Sequence, residues 1–378
     1  MAHRTPQFHL ATSNDPRVSY MYEPFVSTVL QGLRGAPHPY QVNEPLYLKG
    51  GPDLLALGVL AESDIVLWIG HANWPDEQTW RHMRSMGVYT IYFNVDPARH
   101  CVLSRAEVPV PRPCRCTLSR SGVSSSFTCC SQVDEVWDYS WHNIDACDDN
   151  SPMAACDAPP RRYVPVAALD TPMFPPPRTR GSKGFSAPQF VFFGDVGHSR
   201  QGCFNYVSGG LRAFNVTIQQ EFSVWSKTAL AQWLRSFAVP PVVINLAKGC
   251  RVPVPLSKQR RPPLRSALAP RISLMLNAGA LIISEWPYPK DELEFDGLVD
   301  FDHVENLGAR FLQLKQMSAP ERYSLALSRR NRFWSRFNAT HVLERAGIYS
   351  LLRQKHSLRA STCQACGVFP TCSFLGRD

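Results

Sequence analysis

Short apolar runs alternate along this chain with segments whose apolar residues recur at helical spacing. Residues 64–69 (DIVLWI) predict a buried strand. The turn-rich Gly70-His71-Ala72-Asn73-Trp74-Pro75 follows, then an amphipathic stretch with Trp80 and Met83 ending near Gly87, then a second strand over 88–93. Strand, helix and strand within about 30 residues form the βαβ unit of a parallel sheet. Residues 133–137 and 163–166 predict two further strands, with a short helix over 141–147 between them.

The second half repeats the alternation. Phe190-Val191-Phe192-Phe193 is a strand entering Gly194-Asp195-Val196-Gly197, and Phe204, Val207 and Leu211 mark the helix after it. Strands are expected at 216–219, 241–246 and 280–284, and helices around Trp233 and over 271–277, the latter ended by Gly279 as a C-cap residue. Ser318-Ala-Pro-Glu321 has the form of a capping box opening a long basic helix, with Tyr323, Leu327, Trp334 and Phe337 along one stripe. The alternation predicts an α/β fold with two Rossmann-like parallel-sheet domains. Five prolines with Gly181, Ser182 and Gly184 make 171–188 a linker between domains 1–170 and 189–355. Residues 108–132 and 249–269 lack apolar periodicity and read as disordered insertions, and 356–378 as a disordered, cysteine-containing tail.

Composition narrows the function classes. Forty Lys plus Arg against 31 Asp plus Glu give a net charge of +9, but seven basic residues and no acidic one fall between Lys248 and Arg271. The excess is therefore loop composition rather than a continuous basic face, and no nucleic-acid-binding motif accompanies it, which makes nucleic acid an unlikely partner. No apolar run approaches the roughly 18 residues of a membrane span. The N-terminus lacks the apolar core of a signal peptide, so a cytoplasmic chain is expected. Cys363-x2-Cys366, with Cys372 and His356, supplies one zinc half-site short of four well-spaced ligands, and no metal is expected.

In open parallel sheets, ligands bind beyond the carboxyl ends of the strands. Those positions carry Gly70, His71 and Asn73 in the first half. In the second they carry Gly194, Gly197 and Arg200, then Lys248, then Glu285 and Trp286. The second wall is basic and glycine-lined, which suits an anionic diphosphate. Gly194-Asp195-Val196-Gly197 is not a dinucleotide fingerprint, because Ser199 stands where the third glycine belongs; it is either a tight strand-to-helix turn or a phosphate contact. His71 is either a general base or a histidine hydrogen-bonded within its turn. Lys248 and Arg271 either bind phosphate oxygens or belong to the basic loop between them. Asp291, Glu292, Glu294 and Asp296 read as a solvated acidic face.

The block Arg271-Ile-Ser-Leu-Met-Leu-Asn-Ala-Gly-Ala-Leu-Ile-Ile-Ser-Glu285, followed by Asp291-Glu-Leu-Glu-Phe295 and Gly297-Leu-Val-Asp-Phe301, resembles the C-terminal domain of group-1-type glycosyltransferases, and within them the CgeB/YkvP spore-protein branch. Phe192-Phe193-Gly194 through Arg200, Ile244-Asn245-Leu246 through Lys248, and Asp134 to Asp138 resemble further segments of that family. The resemblance implies a GT-B architecture with two Rossmann-like domains facing a cleft. It also implies a nucleotide-diphosphate sugar as donor substrate, an unknown acceptor, and no permanently bound cofactor or required metal. Carried over, Gly197 and Arg200 would flank the diphosphate and Lys248 would contact phosphate, with Gly194, Asn245 and Arg271 counted among the donor-binding residues. Glu294 would face the donor sugar, and His71 would be the acceptor-side base. The family's ribose-binding glutamate falls at position 274, here Leu274. Either Asn277, Ser273 or Glu285 takes its place, or the donor site is altered and the protein is a non-catalytic binding or scaffold protein.

Overall fold

Runs of β-branched and aromatic residues form most of the strands that the apolar pattern predicts, and the computed structural model arranges the strands in two separate sheets. The structure describes residues 4–16, 19–70, 72–73, 75–95, 133–148, 159–169, 190–193, 197–214, 216, 218–221, 233, 237, 239–246 and 269–365. The expected insertion at 108–132, the linker at 171–188 and all of the second insertion but residue 269 lie outside them, as do Cys366 and Cys372.

The first sheet comprises β1 (Gln7–Ser13), β2 (Gln41–Val42), β3 (Leu46–Leu48), β4 (Ile65–Ile69), β5 (Tyr89–Asn94), β6 (Glu135–Asp138) and β7 (Arg161–Tyr163). Its order is β2-β1-β4-β5-β6-β7, with β3 pairing β1 beyond the end of β2, and every pairing is parallel. Helices α1 (Ser19–Gly35), α2 (Gly51–Ala56), α3 (Glu77–Ser85) and α4 (Trp141–Asp148) connect the strands. The second sheet, also all parallel, runs β12 (Asp300–Asp302), β11 (Leu281–Glu285), β10 (Val242–Asn245), β8 (Phe190–Phe193), β9 (Ile218–Glu221). Its helices are α5 (Gly197–Arg212), α6 (Ala269–Ala278), α7 (Pro289–Glu294) and α8 (Leu307–Gln316), followed by α9 (Ala319–Phe337), α10 (Ala339–Arg345) and α11 (Ile348–Ala365). This is the expected fold class: α/β, with two Rossmann-like parallel sheets.

Local signals act where they were expected. The Ser318 side chain accepts from Glu321 N while Glu321 accepts from Ser318 N at 2.7 Å, closing the capping box that starts α9. Gly279, with φ +79°, ends α6 in a conformation that other residues resist. β1 and α1, by contrast, had no counterpart in the apolar pattern. Three of the seven residues of β1 (His9, Thr12 and Ser13) are polar and yet buried, each held by a partner rather than by apolar contact. His9 Nε2 lies 3.2 Å from Asp64 Oδ2, and Thr12 donates to Ile69 O at 3.0 Å.

The two sheets share one continuous core, in which Phe8, Val29 and Ile69 of the first unit join Val243, Ile282, Phe333 and Phe337 of the second. The chain crosses between the units at 166–169, pinned from both sides. Ala167 N donates to Thr28 Oγ1 (2.9 Å), Ser273 Oγ to Val166 O (3.0 Å), Leu169 N to Asn277 Oδ1 (3.0 Å) and Ala168 N to Phe337 O (2.6 Å). After α9 the chain returns to the first unit. Helix α10 packs on α1 at Gly32, where an added Cβ would press on the Leu343 side chain and lie 2.8 Å from Ala339 O. Tyr349 donates to Gly32 O at 2.7 Å, and Lys355 sits 3.8 Å above the Tyr89 ring. Helix α11 thus continues past His356 to Ala365, so the stretch expected to begin a disordered tail is helical at its start. Among the described residues, no helix is long and apolar enough to cross a membrane. Cys203, buried in the second unit's own cluster, is disulfide-bonded.

Candidate functional site

Strand order locates a site before any side chain is considered. From β8 the chain steps to β9 on one side and then to β10 on the other, so the order reverses between β8 and β10. Crevices at such reversals, outside the carboxyl ends of the strands, are where open α/β sheets bind ligands. Helix α5 begins just beyond β8, with Gly197 at φ +36°, and the first turn of α6 meets the end of β10. Two helix N-termini, with their outward N–H groups and positive dipole ends, therefore meet this crevice.

Each of those first turns carries an arginine. Arg200 on α5 is 5% exposed and donates through Nε to Leu246 O at 2.9 Å, bridging the reversal. Arg271 on α6 is 7% exposed; its Nη1 lies 3.4 Å from Asn245 Oδ1, and its guanidinium stands 5.7 Å from the centre of the Phe192 ring. Its Nε has no hydrogen-bond partner, and no carboxylate pairs with it among the described residues. Burial first, and the like charge of Arg200 second, push the Arg271 guanidinium down to about 9, still cationic at neutral pH. Asn245 is held in turn: its Nδ2 donates to Ser284 Oγ at 2.9 Å from the neighbouring strand, where Asn245 and Ser284 are register partners. Glu285, 7% exposed, follows Ser284 at the end of β11. A buried cation with one long hydrogen bond is costly in isolation, by several kcal/mol on the order of magnitude of an effective ion-desolvation penalty. The chemistry of the crevice suits an anion.

Other residues singled out from the sequence lie elsewhere. Glu294 forms an ion pair with Arg345 of α10 at 3.0 Å. Asn277 spends its amide on Leu169 N and Ala167 O at the crossing. Leu274, 4% exposed, is part of the shared core. Gly194, Lys248 and His71 lie outside the described residues. The acidic group expected as a solvated face is not one throughout. Asp291 is 1% exposed and accepts from Ser140 Oγ (2.7 Å) and Trp141 N (2.8 Å), reaching across to the end of β6 and the start of α4. Tyr288 and Lys290 bond Asp145 beside it, at 2.6 and 2.8 Å. The carboxyl ends of the two sheets are thereby tied together. Three arginines of α9 are spent within the fold: Arg329 makes a bidentate pair with Asp300, and Arg330 and Arg336 donate to main-chain carbonyls, while Arg322 is buried with its Nε and Nη1 unpartnered.

The first sheet reverses between β1 and β4, and there the polar groups hold one another. Asn73, in the left-handed region at φ +55°, donates to Ser13 Oγ at 2.7 Å. Asp138, at the end of β6, accepts from Asn94 Nδ2 (2.6 Å), Asn143 Nδ2 (2.9 Å) and Ser140 N (3.0 Å). Burial outweighs these donors and pushes its carboxyl up to about 7.

Ser284, Phe192 and Asp291 are the residues that sequence reasoning passed over. Ser284 was within reach, since a small polar residue ending a strand beside Asn245 belongs to the same rim. Asp291 was not, because its partner Ser140 lies 151 positions away.

No protein-family profile and no curated protein matches this sequence. Several solved structures are similar to it. WaaG, a glycosyltransferase of lipopolysaccharide biosynthesis, is 9% identical over 91% of this chain and 98% of its own, with a TM-score of 0.46. A trehalose-6-phosphate structure from E. coli bound with UDP-2-fluoro glucose is 11% identical over 80% and 76%, also at 0.46. The GtfA/B complex is 11% identical over 81% of this chain at 0.43, and this chain spans 60% of the GtfA/B chain it matches. At such identities none of these likenesses assigns chemistry to this chain.

Proposed function

We propose that the chain is a glycosyltransferase-like protein that takes a nucleoside-diphosphate sugar in its second unit and passes the sugar to an acceptor held at the rim of the first. The observation that carries this reading is Arg271: a buried guanidinium with an unpartnered Nε, beside Arg200, at the reversal of strand order where two helix N-termini meet. In this reading the diphosphate lies on Arg271 and Arg200 and on the amides that open α5, and the sequence adds Gly194 and Lys248 as further contacts. As the acceptor oxygen bonds to the anomeric carbon, the carbon–oxygen bond to the diphosphate breaks and its electron pair leaves with the phosphate. Fixed positive groups stabilise that developing charge without reorganising. In this reading His71 accepts the acceptor's proton, a role that rests on the sequence and the family resemblance alone.

Calorimetric titration with UDP and with GDP tests the reading. Saturable binding is expected, and Arg271→Ala together with Lys248→Ala abolishes it. Absence of binding by either nucleotide at millimolar concentration overturns the reading.

A second reading, a binding protein without transfer, is favoured by Leu274. It stands where the resembled family carries its ribose acceptor, and it is buried in the shared core. The carboxylate of Glu294, expected at the donor sugar, is held by Arg345. Nucleotide binding without release of labelled sugar to water or to any acceptor is what this second reading expects.

A further inference from the structure

Trp286 follows directly on the site and has no part in the reading above. Among the described residues it is the only tryptophan left largely exposed, at 46%. Other exposed apolar side chains, such as Leu57, Val59, Phe214 and Leu293, are scattered over both units, and such scattered exposure is ordinary. Trp286 differs in being both exposed and held. Its N–H donates to Asp302 O at 3.1 Å, tying the segment to the end of β12. Pro287 follows it and restricts its backbone to extended conformations. Its ring meets the His303 ring at 5.0 Å and 63°, an edge-to-face contact that supports one side of the indole.

Position gives this fixed ring a purpose. Trp286 lies two residues beyond Ser284, about 7 Å along an extended chain at some 3.3 Å per residue. Ser284 holds Asn245, and Asn245 contacts Arg271. A ligand whose diphosphate rests on Arg271 carries a ring at each end of that diphosphate, the nucleobase through its ribose and the sugar directly. Both rings offer a flat or apolar face, and an indole face is the side chain best suited to it.

We propose that the Trp286 indole, backed by His303, is the platform on which a ring of the diphosphate ligand stacks. The inference rests on the diphosphate reading of the same crevice, and it turns a general anion site into one that distinguishes a nucleotide sugar from a bare diphosphate.

The test compares inorganic pyrophosphate, the nucleotides UDP, GDP and ADP, and their glucose conjugates, titrated calorimetrically into the full chain and into Trp286→Ala and Trp286→Phe. Because the side chain is half exposed, both variants should unfold thermally as the parent does. In the parent, the preferred nucleotide or its conjugate binds more tightly than pyrophosphate. Trp286→Ala leaves pyrophosphate affinity unchanged and lowers affinity for the ring-bearing ligand about tenfold or more, within the range for loss of a base-stacking aromatic, while Trp286→Phe keeps most of it. Loss already seen with the nucleotide identifies the base as the stacked ring; loss confined to the glucose conjugate identifies the sugar. Equal affinities of parent and Trp286→Ala for every ligand, an equal loss that includes pyrophosphate, or a parent that binds pyrophosphate as tightly as any nucleotide would each overturn the platform and leave the diphosphate reading standing. A parent that binds none of the probes overturns both.

Discussion

At the carboxyl end of the first sheet a buried acid, Asp138, is surrounded by three donors; at the carboxyl end of the second a buried base, Arg271, has one long hydrogen bond and an aromatic face. Both groups sit where open sheets bind ligands, and burial works against the charged form of each. They resolve the conflict differently. Asp138 can take a proton near neutrality and keep its hydrogen bonds. Arg271 remains charged, with no carboxylate beside it among the described residues. Among the described residues the first rim supplies its buried charge with donors, whereas the second leaves its buried charge with few partners.

The largest expected effect tests that difference directly. Arg271→Met removes the buried charge and keeps much of the volume. Nucleotide affinity should fall by an amount corresponding to about 2–5 kcal/mol, as for the truncation of a buried charge that meets its counter-charge. The unliganded protein should nevertheless unfold at the same temperature or higher, since replacing a poorly compensated buried ion by an apolar side chain is often neutral or stabilising. Thermal unfolding with and without UDP measures both. A marked drop in the stability of the unliganded protein would mean that Arg271 is paired within the fold, and the contrast between the rims would fail.

The first rim has its own signature, in pH. The folded protein holds the Asp138 carboxyl near 7, above the roughly 3.9 of an unfolded chain. Between those values the folded state binds more protons than the unfolded one, so stability falls as pH rises through the window. About three units set an upper bound of about 4 kcal/mol. Asp138→Asn, with Asn94 turning its amide to accept, should flatten this part of the profile. Urea midpoints measured from pH 4 to 8 check it, and an unchanged slope would show that Asp138 ionises freely in the folded protein.

Legibility of the sequence followed the same division between apolar and polar burial. β4, β10 and β11 are buried throughout and mostly apolar, and the pattern marks them at once. β1 is central to its sheet yet escaped notice, because His9, Thr12 and Ser13 are buried on hydrogen bonds that no periodicity reveals. The strand-end rule located Arg200, for it depends only on where strands stop, whereas Asn245 and Arg271 stand in segments singled out by the family resemblance. Asn277 and Glu294 have the right chemistry for a sugar or ribose, but the directions of their side chains assign them to the crossing and to Arg345. Asp291 sits among acidic neighbours that suggest a wet surface, and only the fold brings Ser140 to it.

The tie between the rims can be separated from the core that the units share. Asp291→Ala strips the acceptor from Ser140 Oγ and Trp141 N in a setting where Ser140 is fully buried, so a loss of about 1–3 kcal/mol is expected. Lys290→Ala breaks an ion pair whose lysine is 54% exposed and should cost little. Chemical denaturation distinguishes the two variants. Equally mild effects would leave the shared core around α1, α6 and α9 as the sole connection of consequence between the rims.

The smallest effect concerns the support behind Arg271. Ser284→Ala removes the acceptor of Asn245 Nδ2 without adding bulk, leaving a buried amide one bond short at a cost of about 1 kcal/mol in stability. The guanidinium and both helix N-termini remain, so the anion still binds. What changes is the hold on Asn245, whose Oδ1 is the one hydrogen-bond acceptor of the Arg271 side chain among the described residues. Affinity for pyrophosphate should therefore fall only a few-fold, and Ser284→Thr, which retains the hydroxyl, should restore it. If Ser284→Ala instead matched Arg271→Met in its loss of affinity, Ser284 would itself be a ligand of the anion rather than a brace behind the arginine.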